Sequence, residues 1–186
     1  RGNSKRLKDK NILKINGKSL LEIVINKAKK SKIFDQIIVS TDSKKIAKIA
    51  KKSGAEVPFI RSKKLSNDKV GILPVVKDVV PQTNSKQKKL NFFIYPTAIL
   101  LSTNELKQSY KKFLTSNCNF LVAIKKTQSH PLKCFEIKNS KYLKYKWPKN
   151  RFKRGQDFKN YYNDAGSFFI FKTNNFLKFG FNEKNN

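Results

Sequence analysis

The chain has 186 residues, 38% of them apolar, and a formal charge of +30 from 42 basic against 12 acidic side chains. That length and apolar content support one domain with a sizeable core, and no apolar run approaches the roughly 18 residues that a bilayer span needs. Two cysteines, Cys118 and Cys134, and one histidine, His130, give no zinc-ligand spacing, so the composition reads as that of a reduced, cytoplasmic protein.

The charge favours anionic partners. Only five of the basic residues are arginine, however, and the other 37 are lysine. Arginine is the usual source of bidentate phosphate and guanine contacts, and these lysines are spread along the whole chain. With abundant Asn, Ile and Phe they read as the coding bias of an AT-rich genome, so no specific nucleic-acid partner is expected.

In chain order, the first segment is R-G-N-S-K-R-L-K-D-K-N, residues 1–11. It sets five cations, a glycine and a serine ahead of an apolar-periodic run, a composition that suits a polyphosphate held by backbone N–H groups and neutralised by Lys and Arg. Such a loop normally follows a strand and the chain has no Met, so the expectation is a piece that lacks its first strand. Leu20, Leu21, Val24, Ile25 and Ala28 recur at helical spacing, which predicts a helix over 19–32 with Ser19 as a candidate N-cap. Residues 36–40 read as a short buried strand, and Thr41-Asp42-Ser43 as the N-cap signal of a second helix carrying Ile46, Ala47, Ile49 and Ala50 and closed by Gly54. Residues 56–60 are extended, 73–80 helical, 90–95 a strongly apolar strand ended by Pro96, 104–114 helical and 120–124 a strand.

This alternation implies parallel pairing in a doubly wound α/β sheet. After about Thr127 the character changes. Residues 134–137 and 142–145 look like short strands around a polar turn, and 146–163 are polar, aromatic and irregular. A buried strand returns at 167–171, and a helix starts over 174–179. Residues 128–163 therefore read as a small β excursion from a single domain spanning 1–186.

Two short motifs carry no chemistry. Gly17-Lys18-Ser19 imitates the end of a phosphate-binding Walker loop, but its upstream glycine would fall at Ile12, so it reads as a turn before a helix. His130, followed by Pro131, has no sequence neighbour that would build a triad and reads as a turn residue.

Three segments together resemble the CMP-sialic acid synthetase group of cytidylyltransferases, and within it the pseudaminic acid branch. They are residues 1–11; Ile38-Val39-Ser40-Thr41-Asp42 with Ile46-Ala47 and Gly54-Ala55-Glu56-Val57-Pro58-Phe59-Ile60-Arg61; and Arg154-Gly155-Gln156-Asp157 with Tyr162-Asn163-Asp164-Ala165-Gly166-Ser167-Phe168-Phe169. The resemblance covers nearly the whole chain. It implies a Rossmann-like nucleotidyltransferase fold with a mostly parallel sheet. It also implies a reaction in which the anomeric hydroxyl of a nine-carbon 2-keto sugar acid attacks the α-phosphorus of CTP, giving CMP-sugar and pyrophosphate. The leaving pyrophosphate gathers charge, so the site needs cations and hydrogen-bond donors aimed at it.

By position in the motifs, Arg1 and Lys10 match the catalytic cations, and Gly2, Ser4 and Lys5 the triphosphate loop. Asn11 matches the residue beside the nucleotide, and Arg61 and Asp68 the segment closing over cytidine. Thr97, in Tyr95-Pro96-Thr97, and Arg154, Gln156, Asp157 and Asp164 match the sugar side. Asp42 reads equally as an N-cap or a site residue, Asp164 as a turn or a sugar contact, and Phe168, Phe169 and Phe171 as core. The chain departs from the family pattern at Asn3 for a loop glycine, Ile99 for a proline and Gly155 for a serine, and it lacks a Gln-Arg pair around Leu132-Lys133-Cys134. The resemblance also implies Mg²⁺ held by an Asp-x-Asp segment past the last strand, expected beyond Asn186. It implies a cytoplasmic homodimer with 128–163 as the candidate dimerisation element, and no membrane partner. The alternatives are an N-acetylneuraminate or legionaminate cytidylyltransferase, and a non-catalytic basic binding protein on a decayed enzyme scaffold.

Overall fold

The computed structural model describes residues 2, 7, 9–83, 87 and 89–181. It divides into two compact units, one of Arg1–Val122 with Ser167–Asn186 and one of Ala123–Gly166.

The first unit opens with a 3₁₀ turn, Lys10–Ile12, and a two-strand ribbon of β1 (Lys14–Ile15) and β2 (Lys18–Ser19). Asn16 and Gly17 join these strands with φ of 49° and 78°, the pair of left-handed residues that a tight hairpin turn requires. Gly17-Lys18-Ser19 is thus half of a hairpin, a more definite structure than the simple turn expected. Helix α1 (Leu20–Ser31) starts on a full capping box: Ser19 Oγ accepts from Glu22 N, and the Glu22 carboxylate accepts from Ser19 N at 2.7 Å.

Helix α2 (Lys44–Lys52) is capped by Ser43, whose Oγ accepts from Ile46 N at 3.3 Å. Asp42 stands one residue too early for that role. Between the two helices the expected strand over 36–40 forms only isolated parallel bridges, Ile38 with Glu56 and Thr41 with Ile60. Val39 N reaches Glu56 O and Glu56 N reaches Ile37 O, both at 2.8 Å. Leu21, Ile25, Ile46, Ala47, Ala50, Ala55 and Val57 bury themselves around this pairing, with Ile12, Ile37 and Val39 packed against them.

Helix α3 (Ile72–Val79) leads to β3 (Leu90–Ile94), then α4 (Thr103–Thr115) and β4 (Phe120–Lys126). A second capping box, Ser102 with Glu105, starts α4. Strand β7 (Tyr162–Lys172) lies between β3 and β4, and α5 (Thr173–Phe179) follows it. β7 runs antiparallel to β3, with Phe93 opposite Phe169. On its other edge Lys172 N bonds Asn119 O at 3.0 Å, and Thr127 N bonds Tyr161 O at 2.9 Å. The cause is topological. β3 and β4 are joined through α4 and share a direction, whereas no α-helix lies between β4 and β7, so the chain returns antiparallel. The α/β class stands, with one reversed strand in the sheet. The second core gathers on β7: Phe169, Phe171 and Phe176 with Val76 and Val80. The Phe93 and Phe169 rings stack at 4.8 Å between centroids.

In the second unit, β5 (Phe135–Lys138) and β6 (Tyr142–Tyr145) pair antiparallel across Asn139 and Ser140, both at positive φ. His130 is the organising side chain. Its Nδ1 accepts from Leu132 N at 3.2 Å, its Nε2 meets Lys159 O at 3.2 Å, and its ring stacks on Phe158 with centroids 4.3 Å apart. The turn role foreseen for it is present, with an aromatic clamp added.

Candidate active site

The stretch Ser40–Ser43, at the carboxyl end of the bridged segment, is where separate parts of the chain meet. Thr41 is 1% exposed, and its Oγ1 accepts from Ser43 N at 3.2 Å. Gly2 N donates to Asp42 Oδ1 at 2.7 Å, across 40 residues of sequence. A Cβ added at Gly2 would lie 3.0 Å from Ser43 Cβ, so the backbone approaches closely enough to favour glycine. Arg61 reaches the same stretch from the other side. Its backbone N bonds Thr41 O at 2.8 Å, its Nη1 lies 3.3 Å from both Ser40 O and Ser40 Oγ, and its Nε donates to Ser66 Oγ at 3.1 Å. Arg61 thereby ties the 3₁₀ turn Lys64–Ser66 to the strand end.

Lys10 and Asn11, both half-buried, share the turn whose third residue, Ile12, packs on the first core. Asp9, at φ 54°, forms an exposed ion pair with Lys45 Nζ of α2 at 3.3 Å. Asp68 is exposed and borders an open depression of about 470 Å³ with Asn67, Lys69 and Val70. Thr97 is exposed in the turn after β3, where Ala98 N bonds Tyr95 O at 3.0 Å and Lys27 Nζ donates to Ile99 O. This is the carboxyl end of a sheet strand, the usual ligand side of open α/β sheets. Arg1, Ser4 and Lys5 lie outside the described residues.

The four remaining expected residues belong to the second unit. Arg154 and Asp157 close on one another: Asp157 Oδ2 accepts from Arg154 N at 3.0 Å and from Nε at 3.3 Å, and Oδ1 accepts from Nη2 at 3.2 Å. These hydrogen bonds from Arg154 hold the Asp157 carboxyl below its ordinary range. Gln156 is exposed on the same 3₁₀ turn, Gly155–Asp157. Asp164 Oδ1 accepts from Gly166 N at 2.7 Å, and Gly166 has φ 61°, so this carboxylate shapes a bend inside β7.

The site residues missed in the sequence are Ser40 and Ser66, which receive the Arg61 guanidinium; a small hydroxyl amino acid at the end of an apolar run was the available signal for Ser40. Among the described residues no three His, Cys, Asp or Glu side chains come together to hold a metal ion. Asp42, Asp157 and Asp164 each accept a hydrogen bond from protein, and no group of three such side chains forms among the described residues, so these carboxylates do not make up a Mg²⁺ site. No helix among the described residues is long and apolar enough to cross a membrane.

The fold is that of an α/β nucleotidyltransferase. The structure matches CMP:2-keto-3-deoxy-manno-octonic acid synthetase complexed with CTP with a TM-score of 0.69 at 13% identity, covering 95% of this chain and 72% of that one. A cytidylyltransferase from Leptospira borgpetersenii matches with a TM-score of 0.58 at 20% identity, over 94% of this chain and 58% of that one. Residues 1–178 match the cytidylyltransferase family, and the chain belongs to it. Pseudaminic acid cytidylyltransferase of Campylobacter jejuni (strain 81-176) is 35% identical over 173 residues, which is 91% of this chain and 74% of that protein. A second relative, CMP-N,N'-diacetyllegionaminic acid synthase of Campylobacter jejuni (strain NCTC 11168), is 48% identical over 80 residues, 43% of this chain and 34% of that protein.

Proposed function

We propose that the protein transfers the cytidylyl group of CTP to a nonulosonic acid, pseudaminic acid before its relatives, and releases pyrophosphate. The observation that carries this reading is the likeness to pseudaminic acid cytidylyltransferase along 91% of the chain. The meeting of the amino-terminal loop, α2 and Arg61 at Ser40–Ser43 supports it.

In this reading the anomeric oxygen of the sugar forms the new bond to the α-phosphorus and releases its proton to solvent. The bond from that phosphorus to the oxygen bridging to the β-phosphate breaks, and pyrophosphate leaves with the electron pair. Arg1 and Lys10 neutralise the charge that grows on the leaving group, and Ser4 and Lys5 hold the triphosphate with the loop at Gly2. Asn11, Arg61 and Asp68 surround the nucleoside. Arg61, already committed to Ser40 and Ser66, acts by holding its turn in place.

Thr97, Arg154, Gln156, Asp157 and Asp164 serve the sugar. Arg154 uses Nε and Nη2 on Asp157, and the rest of its planar fork suits a sugar carboxylate. Mg²⁺ is the proposed metal and would neutralise the triphosphate. Because the described carboxylates do not fit it, no step is assigned to a protein-held ion. The proposed setting is the cytoplasm, where CTP is available. The proposed assembly is a homodimer through the β5–β6 hairpin, whose Phe135, Ile137 and Leu143 are 52%, 70% and 71% exposed.

The 48% identity to the legionaminic acid enzyme over 80 residues favours one competing substrate. Pyrophosphate release is therefore measured with CTP, Mg²⁺ and, in turn, pseudaminic, legionaminic and N-acetylneuraminic acid. Fastest turnover with pseudaminic acid is expected. Faster turnover with another acid reassigns the substrate, while neither turnover nor a CTP-dependent rise in melting temperature removes the enzymatic reading.

A further inference from the structure

We infer that Asp42 is a positioning residue that anchors the amino-terminal phosphate loop through Gly2. In this role the carboxylate positions the loop, rather than holding a metal ion or taking a proton. The inference rests on the CTP-binding reading above. A carboxylate near a triphosphate repels the oxygens that the loop is built to attract, so its presence there needs a separate reason.

Helix capping is not that reason, because Ser43 caps α2. The bond from Gly2 N to Asp42 Oδ1 is 2.7 Å long, in the range of charge-assisted hydrogen bonds. The platform beneath it is rigid: Thr41 is buried, its Oγ1 accepts from Ser43 N, and its carbonyl accepts from Arg61 N. The closeness of Gly2 to Ser43 fixes the same register by shape. One consequence changes the expectation for Gly2. Its N–H belongs to Asp42, so Gly2 sets the position of the loop and does not itself donate to phosphate.

The test compares Asp42→Ala with Asp42→Asn, whose amide oxygen accepts the same bond without the charge. Asp42→Ala should raise the KM for CTP about tenfold, the scale of one lost hydrogen bond to a charged acceptor. kcat should stay within about threefold, because bound nucleotide restores the loop. Asp42→Asn should return the KM to within about threefold of the parent. Without CTP, hydrogen exchange in the peptide spanning Gly2 should quicken in the Ala variant and not in the Asn variant. This arm reads the anchor even if the parent fails to bind CTP, in which case only the CTP reading falls. A collapse of kcat in both variants would make Asp42 a ligand or base. Unchanged exchange and KM in Asp42→Ala would remove the anchoring role.

Discussion

Lys10→Ala separates a catalytic cation from ordinary surface charge in a lysine-rich chain. The substitution is mild for the fold. Lys10 enters its 3₁₀ turn through its backbone, with N bonded to Leu7 O at 3.2 Å, and Ala keeps that bond. The turn is held by Ile12 on the core. Among the described residues no acidic side chain forms an ion pair with Lys10. The loss of stability should therefore stay within about 0.5 kcal/mol. Turnover should fall far more, because the ammonium matters most when the pyrophosphate gains charge. Losing one such cation costs roughly 3 kcal/mol, on the order of a hundredfold in rate, mostly in kcat. Pyrophosphate release at saturating CTP gives the rate and urea denaturation gives the stability. Lys48→Ala, exposed on α2, controls for general charge. A Lys10→Ala enzyme within a few-fold of the parent, or one no worse than Lys48→Ala, refutes the assignment.

Three other outcomes are expected. Glu22 and Glu105 have carboxyls held below their ordinary 4.5 by hydrogen bonds with Ser19 and Ser102. Their contribution is complete above that value and is lost as pH falls through the lowered folded-state values, so Glu22→Gln with Glu105→Gln should flatten the acid limb of the urea midpoint. Phe176→Ala should cost about 3–5 kcal/mol by urea unfolding followed by circular dichroism, since Phe176 is 2% exposed and meets Phe169 and Phe171. Ile137→Lys with Leu143→Lys should turn a dimer into a monomer by sedimentation while leaving the melting temperature nearly unchanged; a persisting dimer moves the interface off this hairpin.

The helices were legible because their periodic apolar faces and serine caps are local signals: Ser19 and Ser43 start α1 and α2, whereas the Ser102 cap of α4 was not read and that helix was expected from residue 104. Strand pairing was legible in part. The long β7 looked like five residues because only Phe168–Phe171 are buried, while Tyr162–Asp164 remain exposed and carry no apolar signature. Its reversed direction depends on what joins it to β4, which apolar periodicity does not encode. Arg61 was found through its motif, but its partners were not, since a serine 21 residues earlier and another five later have no special spacing. Asp42 stayed ambiguous for a related reason. Thr41, Asp42 and Ser43 are all good cap residues, and only the chain path decides which hydroxyl or carboxylate sits over the helix.

Charge and position have different parts in this molecule. Forty-two basic residues against twelve acids create a field that draws in a triphosphate and a sugar acid alike, yet dispersed lysines cannot say where on the surface the anions stop. Position comes from the few places where polar groups are fixed against one another. At Ser40–Ser43 the parallel pairing is too sparse to form a continuous ladder, and side chains supply the missing constraints: Thr41 holds Ser43, Arg61 holds Ser40, and Asp42 holds Gly2. Two segments far apart in sequence, at Gly2 and Arg61, are tied to four consecutive residues. A strand end with free backbone edges can be satisfied by ligand or by protein; here protein groups occupy part of it.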